Sequence, residues 1–205
     1  MSLHASALGL LSGWFAPDAG QEALRRRYVA HLEAQTKATY RHCRPDHLTA
    51  GALVVSADHR QVLLTLHAKA GRWFQLGGHC EPGDASLPAA ALREATEESG
   101  IAGLVLDPVP VHLDEHPVTF CGQPGLVSHL DVRFVAVAPP GAVPVVSEES
   151  TDVRWWPVDA LPLDDSPPHT GLVDRALERL AGRTGQSVSW PGGGSTLAAA
   201  DQPSR

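Results

Sequence analysis

Cysteine is scarce in this chain, and long apolar runs are missing altogether. Only three cysteines occur in 205 residues, Cys43, Cys80 and Cys121, and no two of them stand in a CxxC spacing. An odd, scattered set argues against a disulfide framework or a zinc knuckle and fits a reducing compartment. No apolar stretch approaches the roughly 20 residues that a membrane-spanning helix requires. Residues 5–15 form a short apolar patch, but no Lys or Arg precedes it as in a secretory signal. A cytoplasmic protein with no membrane partner is the expectation. Basic residues are the minority, with 16 Lys and Arg against 23 Asp and Glu and a net charge of −7. That balance argues against a nucleic-acid polymer as main partner. It still permits phosphate chemistry if metal ions supply the positive charge.

What is present reads as a globular chain, 43% apolar and 19% charged. Residues 1–46 read as a helical leader, 47–182 as the main domain, and 183–205 as a disordered tail rich in Gly, Ser, Ala and Pro. In the leader, Leu24, Tyr28 and Leu32 recur every fourth residue. The spacing predicts a helix over 21–42, broken at Arg44-Pro45-Asp46. Such a helix packs on the main domain or on a second subunit, so a homodimer is among the expected assemblies. The main domain alternates short strands (53–55, 62–66, 73–76, 126–137, 154–156) with helices over 88–99 and 171–181.

The chemistry concentrates between Gly77 and Ile101. Glu94, Glu97 and Glu98 stand three and four residues apart on the predicted helix, so their carboxylates share one surface. Like charges at those spacings destabilise an isolated helix by a few tenths of a kcal/mol each. The helix dipole disfavours them further toward the C-terminal end. Arg93 can pair with Glu97, which relieves one repulsion only. Gly100 is a natural left-handed stop. A cation between the carboxylates removes the conflict, and hard oxygen ligands select Mg2+ or Mn2+ over zinc. A backbone carbonyl from Gly77 or Gly78 is placed to complete the oxygen shell.

Together these residues resemble the signature of the Nudix (MutT-like) hydrolases. The run Arg93-Glu94-Ala95-Thr96-Glu97-Glu98-Ser99-Gly100-Ile101 matches its second half without a gap. Five specified types at roughly 7% background each make coincidence about a 10⁻⁴ event over the chain. The first half departs from the pattern: Asp84 stands for a Glu, and eight residues instead of seven separate it from Arg93. The extra residue falls in 85–88, where Ser86 suits an N-cap and Pro88 an opening turn.

The resemblance implies an α+β fold, a mixed β-sheet sandwiched between helices. It also implies divalent-metal cleavage of a diphosphate linkage in a small, nucleotide-like molecule. Carried over residue by residue, Glu94 and Glu98 are the main metal ligands. Glu97 is a third ligand or a proton acceptor, and Arg93 orients the glutamates. Glu149, ahead of Trp155, is either a further ligand or base or part of a solvated acidic loop. Pro117 stands sixteen residues past Ile101, as in relatives acting on ADP-ribose.

Substrate-side residues are less legible. His129, Asp131 and Arg133 alternate with apolar residues on one strand and share a face, either toward the substrate or simply exposed. Trp73 and Phe74 suit the core, with base stacking as the other use. His112 and His116 stand four apart, but Pro108 and Pro110 forbid a helix there, so no zinc pair is expected. Two other functions fit the same fold. One is an isopentenyl-diphosphate-isomerase-like enzyme, in view of His79 and Cys80. The other is a catalytically silent nucleotide-binding module.

Overall fold

A strand covered on both faces has no polar side to show, and one segment near the middle of the chain reads that way. His47–Val55, the first strand (β1), is buried at every one of its nine positions. The computed structural model describes residues 1–68, 70–118, 127–147, 150–162 and 168–182. Six further strands follow β1: β2 (Gln61–His67), β3 (Arg72–Phe74), β4 (Leu76–His79), β5 (Val105–Val118), β6 (Val127–Val137) and β7 (Ser150–Pro157). They form one mixed sheet of order β3-β2-β1-β6-β5, with β4 paired to β1 and β7 to β2. Among the described residues, β1 and β6 are the one parallel pair and the other pairs are antiparallel.

Helices cover both faces. The helices α1 (Leu3–Gly13), α2 (Ala19–Ala34) and α3 (Leu87–Ser99) share a core with Leu48, Ala50, Leu130 and Val132. The last helix, α4 (Pro168–Ala181), packs Leu172, Val173, Ala176 and Leu180 against Leu53, Val55, Val135 and Val137. Even positions of β1 thus face α1, α2 and α3, and on the other face Leu53 and Val55 meet α4. The result is the expected sandwich. Among the described residues, no helix is long and apolar enough to cross a membrane.

The structure corrects the sequence-based elements in three places. The leader is two helices instead of one over 21–42. In α1, Ser2 caps the start and Leu3, Ala7 and Leu11 are buried. The side chain of Asp18 caps α2, which ends at Ala34, before Thr36 and Thr39. Second, β1 begins six residues earlier than expected, at His47. Third, β5 was not expected, because Pro108, Pro110 and Pro117 lie within it. It is an edge strand whose register shifts between Asp107 and His112, and an edge tolerates prolines because fewer of its N–H groups are needed for the ladder. The expected 183–205 tail lies outside the described residues.

Candidate active site

α3 is built as the sequence dictates. Ser86 accepts a hydrogen bond from the Ala89 N–H at 3.2 Å, and Pro88 sits in the first turn. Leu87, Ala90, Ala91 and Ala95 are buried against the sheet. Gly100 ends the helix at φ 66°, ψ 7°, donating its N–H to the Thr96 carbonyl at 2.9 Å. The helix is thereby fixed in register against β4, with its glutamates toward Gly77 and Gly78.

Glu98 accepts the Gly77 N–H at 2.9 Å through Oε2. A Cβ added at Gly78 would lie 2.8 Å from the Glu94 carboxyl carbon and from its Oε2. The carboxylate occupies space that only glycine leaves open. Glu97 is the outermost of the three, its side chain 60% exposed. The structure thus brings Glu94, Glu98 and the Gly77-Gly78 backbone together, with Glu97 at the rim.

Arg93 is the hub of this arrangement. Its Nε and Nη2 donate to the two Asp84 carboxylate oxygens at 3.1 and 3.0 Å. Nη1 donates to Glu94 and to Glu97, both at 3.0 Å, and Nη2 also donates to the His79 carbonyl at 3.0 Å. These acids, led by the Asp84 hydrogen bonds, push the guanidinium pKa above its ordinary value. The second Asp84 oxygen also accepts the Glu81 N–H at 2.7 Å. The shorter Asp84 side chain, one residue further from Arg93 than the signature has it, still reaches both partners, and the inserted residue is absorbed in the turn before α3.

His129, Asp131 and Arg133 do not join the glutamates. They lie on odd positions of β6, in register with His47, Thr49 and Gly51 of β1, on the face opposite α3. Arg133, its side chain 3% exposed, donates to Asp114 at 2.8 Å and to Asp131 at 3.0 Å. Thr49 donates to the other Asp131 oxygen, and His116 lies 3.0 Å from Asp114. Burial pushes the Asp114 pKa up, but the His116 hydrogen bond and Arg133 outweigh it and hold it at about 2. Beside this network stand His47, His79 and His129. Burial lowers the pKa of all three, to about 4 for His79 and about 3 for His129, so the rings are neutral.

Sequence reasoning missed His47 and weighed His79 only together with Cys80. The available signal was period two: 47 and 49, 112, 114 and 116, and 129, 131 and 133 each put polar side chains on alternate positions. His112 and His116 are on a strand, and His116 belongs to the Asp114–Arg133 network. Cys80 is 5% exposed among Leu87, Ala90 and Ala91, and burial pushes its thiol up to about 12. It faces the α3 side, away from the His79 ring, so the two are not a proton-transfer pair of the isomerase kind. Trp73 packs edge-on against Trp156, and Phe74 edge-on against His67. Glu149 lies outside the described residues.

The sheet order, the glycine-lined carboxylates and the Arg93 clasp define a protein of the Nudix class. Residues 45–176 match the NUDIX domain, and the chain belongs to that family. Solved structures agree on the fold. A C. elegans Ap4A hydrolase, crystallised as a binary complex, superposes with a TM-score of 0.56 at 20% identity, over 66% of this chain and 98% of that one. A NUDIX-family hydrolase from Clostridium perfringens gives 0.52 at 25% identity, over 65% and 97%. The NUDIX domain of Shewanella oneidensis NrtR, complexed with ADP ribose, gives 0.51 at 23% identity, over 72% and 98%.

Proposed function

We propose that this chain is a divalent-metal-dependent hydrolase that splits a diphosphate linkage in a nucleoside diphosphate derivative. The observation that carries the proposal is the contact of Glu94 and Glu98 with the backbone of Gly77 and Gly78. Two carboxylates meet the half-buried Gly77-Gly78 backbone, one accepting the Gly77 N–H and the other filling the space beside Gly78 that a Cβ would take. The donor set is all oxygen, as Mg2+ and Mn2+ require. Glu94 and Glu98 would hold the ion, with the Gly78 carbonyl as a further oxygen and Glu149 assigned as an additional carboxylate or base. An ion held by these residues would supply positive charge against a diphosphate and would acidify water at the site.

The chain's own side chains then have separate tasks. Glu97, exposed at the rim, completes the ion's shell or accepts the proton from the attacking water. Arg93 is a positioning residue. Its guanidinium is spent on Asp84, Glu94, Glu97 and the His79 carbonyl, so it fixes the glutamates and does not reach phosphate. Arg133 holds Asp131 and Asp114 through Nη2 alone, its buried Nε and Nη1 being without a hydrogen-bond partner, and a substrate contact by His129, Asp131 or Arg133, on the sheet face away from the glutamates, stays part of the proposal. Phe74, half-buried on β3, is assigned to base stacking. Ap4A, after which the C. elegans hydrolase is named, and the ADP ribose on the Shewanella domain support the class of compound.

The test is a panel of nucleoside di- and triphosphates, nucleotide sugars, ADP-ribose and dinucleoside polyphosphates with Mg2+, comparing the native chain with Glu98→Gln. At least one compound is expected to be hydrolysed. Removing a ligand worth several kcal/mol of charge stabilisation should cut kcat by roughly 100-fold or more. Equal turnover by the variant on every compound would overturn the reading. A rearranged product without phosphate release would favour the isomerase.

A further inference from the structure

We propose that His47, His79 and His129 form a second metal site, for a transition ion of the zinc class, on the face of the sheet opposite α3. The proposal is independent of the hydrolase reading, because none of the three rings belongs to the glutamate centre.

Three adjacent strands supply one ring each. Parallel register puts His47 of β1 beside His129 of β6, and antiparallel register puts His79 of β4 beside Thr49, one pleat along. Ring centroids are 5.2 Å apart for His47 and His79, 5.0 Å for His47 and His129, and 4.9 Å for His79 and His129. That is a nearly equilateral triangle. A tetrahedral ion with three imidazoles at the roughly 2.0–2.1 Å Zn–N distance would hold ring centres about 5 Å apart. The rings are therefore already at the separation an ion imposes. One nitrogen from each lies within 4.8 Å of the others, and rotation of the rings about their own side-chain bonds closes that spacing to a coordination sphere.

A second observation concerns His47 alone. It is 0% exposed, and neither ring nitrogen makes a hydrogen bond of good geometry; among the described residues the Cys43 backbone is the one polar group close enough to act on it as a partner. A buried imidazole so weakly satisfied is costly, and such groups call for an explanation. An ion at the centre of the triangle supplies a strong partner. Imidazole donors suit zinc, copper and nickel, whereas Mg2+ prefers oxygen, so this site and the glutamates select different metals.

The neighbouring group of Asp114, His116 and Asp131 is also close-set, but it is not the site. The Arg133 guanidinium sits 2.8 and 3.0 Å from its two carboxylates and already holds a cation's place there. Three protein ligands leave a fourth position for water or an oxygen of a small anion. Bound, the ion ties β1, β4 and β6 together. His79 directly follows Gly78, and its carbonyl is held by Arg93, so the tie also steadies the strand beneath the glutamates.

The experiment uses the full chain without an affinity tag, stripped with chelator and titrated with Co2+ as a spectroscopic stand-in for zinc. The expected result is an intense visible band of tetrahedral Co2+, saturating at one ion per chain and abolished by Zn2+. The band should survive in a Glu94→Gln, Glu98→Gln double variant and disappear in His79→Asn and in His129→Gln. Circular dichroism without metal checks that these variants fold. X-ray absorption on the Zn2+-loaded native chain reads imidazole coordination with no substitution at all. No band, a weak octahedral band only, a band that persists in both histidine variants, or a zinc shell without imidazole would overturn the proposal.

Discussion

Gly78 shows how a single missing methyl group shapes this centre. An added Cβ would lie 2.8 Å from the Glu94 carboxyl carbon, and that contact is the end of a flexible side chain instead of backbone. In Gly78→Ala the carboxylate should therefore swing away while the fold stays intact. Mn2+ binding, followed by electron paramagnetic resonance, is expected to weaken strongly with little change in Tm. Unchanged Mn2+ affinity would refute the placement of the ion. Arg93 carries the complementary test. Its partner Asp84 is only 7% exposed, and Arg93→Ala leaves that carboxylate with the Glu81 N–H as its remaining hydrogen-bond donor. Losing hydrogen bonds to a largely buried charge should cost about 2–3 kcal/mol in urea unfolding. Arg93→Lys should recover only part of it, since an ammonium cannot reproduce the two-pronged contact. Full recovery by lysine would show that charge alone matters there.

At the scale of elements, α3 is the part most open to reading, because each of its signals is local. Ser86, Pro88, the glutamate spacing and Gly100 lie within fifteen consecutive positions, and the structure uses each of them. Gly100 is needed twice over. Its φ is +66°, and a Cβ there would lie 2.9 Å from the Val145 Cβ. Left-handed backbone costs an ordinary residue about 1–2 kcal/mol. With the clash added, Gly100→Ala should lose about 2 kcal/mol or more by chemical denaturation; a neutral result would mean that the 139–147 loop simply yields. The strands were harder to read for the opposite reason. The three prolines of β5 forbid a central strand but not an edge one, and only the assembled sheet decides which it is. The first six residues of β1 alternate at His47 and Thr49, but Ala50-Gly51-Ala52 carries little preference for a strand. The histidine triangle draws on β1, β4 and β6, separated by 32 and 50 positions in the chain. No local spacing rule finds that, and a search for CxxC or paired-histidine motifs passes over it.

For the whole molecule, the consequential feature is that the leader helices are part of the domain core. Leu11 and Leu32 are fully buried in the cluster that also contains Leu48, Leu113 and Leu130. Gln21 acts as a substitute strand at the sheet's open edge. Its side-chain amide donates to the Leu113 carbonyl at 2.9 Å, and its oxygen accepts the Leu113 N–H at 2.6 Å. Tyr28 adds a hydrogen bond from its hydroxyl to the Asp114 carbonyl at 2.6 Å. Edge backbone that would invite pairing with another chain is thus covered from within. If leader and sheet form one cooperative unit, a cavity opened in α1 must weaken the whole. Leu11→Ala should then cost about 2–5 kcal/mol, the range for a buried leucine. Circular dichroism and tryptophan fluorescence should report the same lowered urea midpoint with an unchanged m-value. A leader that merely rests on the sheet would instead melt first, giving two separate transitions, with the main one where the native chain has it. The same comparison on Gln21→Leu tests the edge contact. It leaves the buried Leu113 N–H and carbonyl without this partner and should cost about 1–3 kcal/mol.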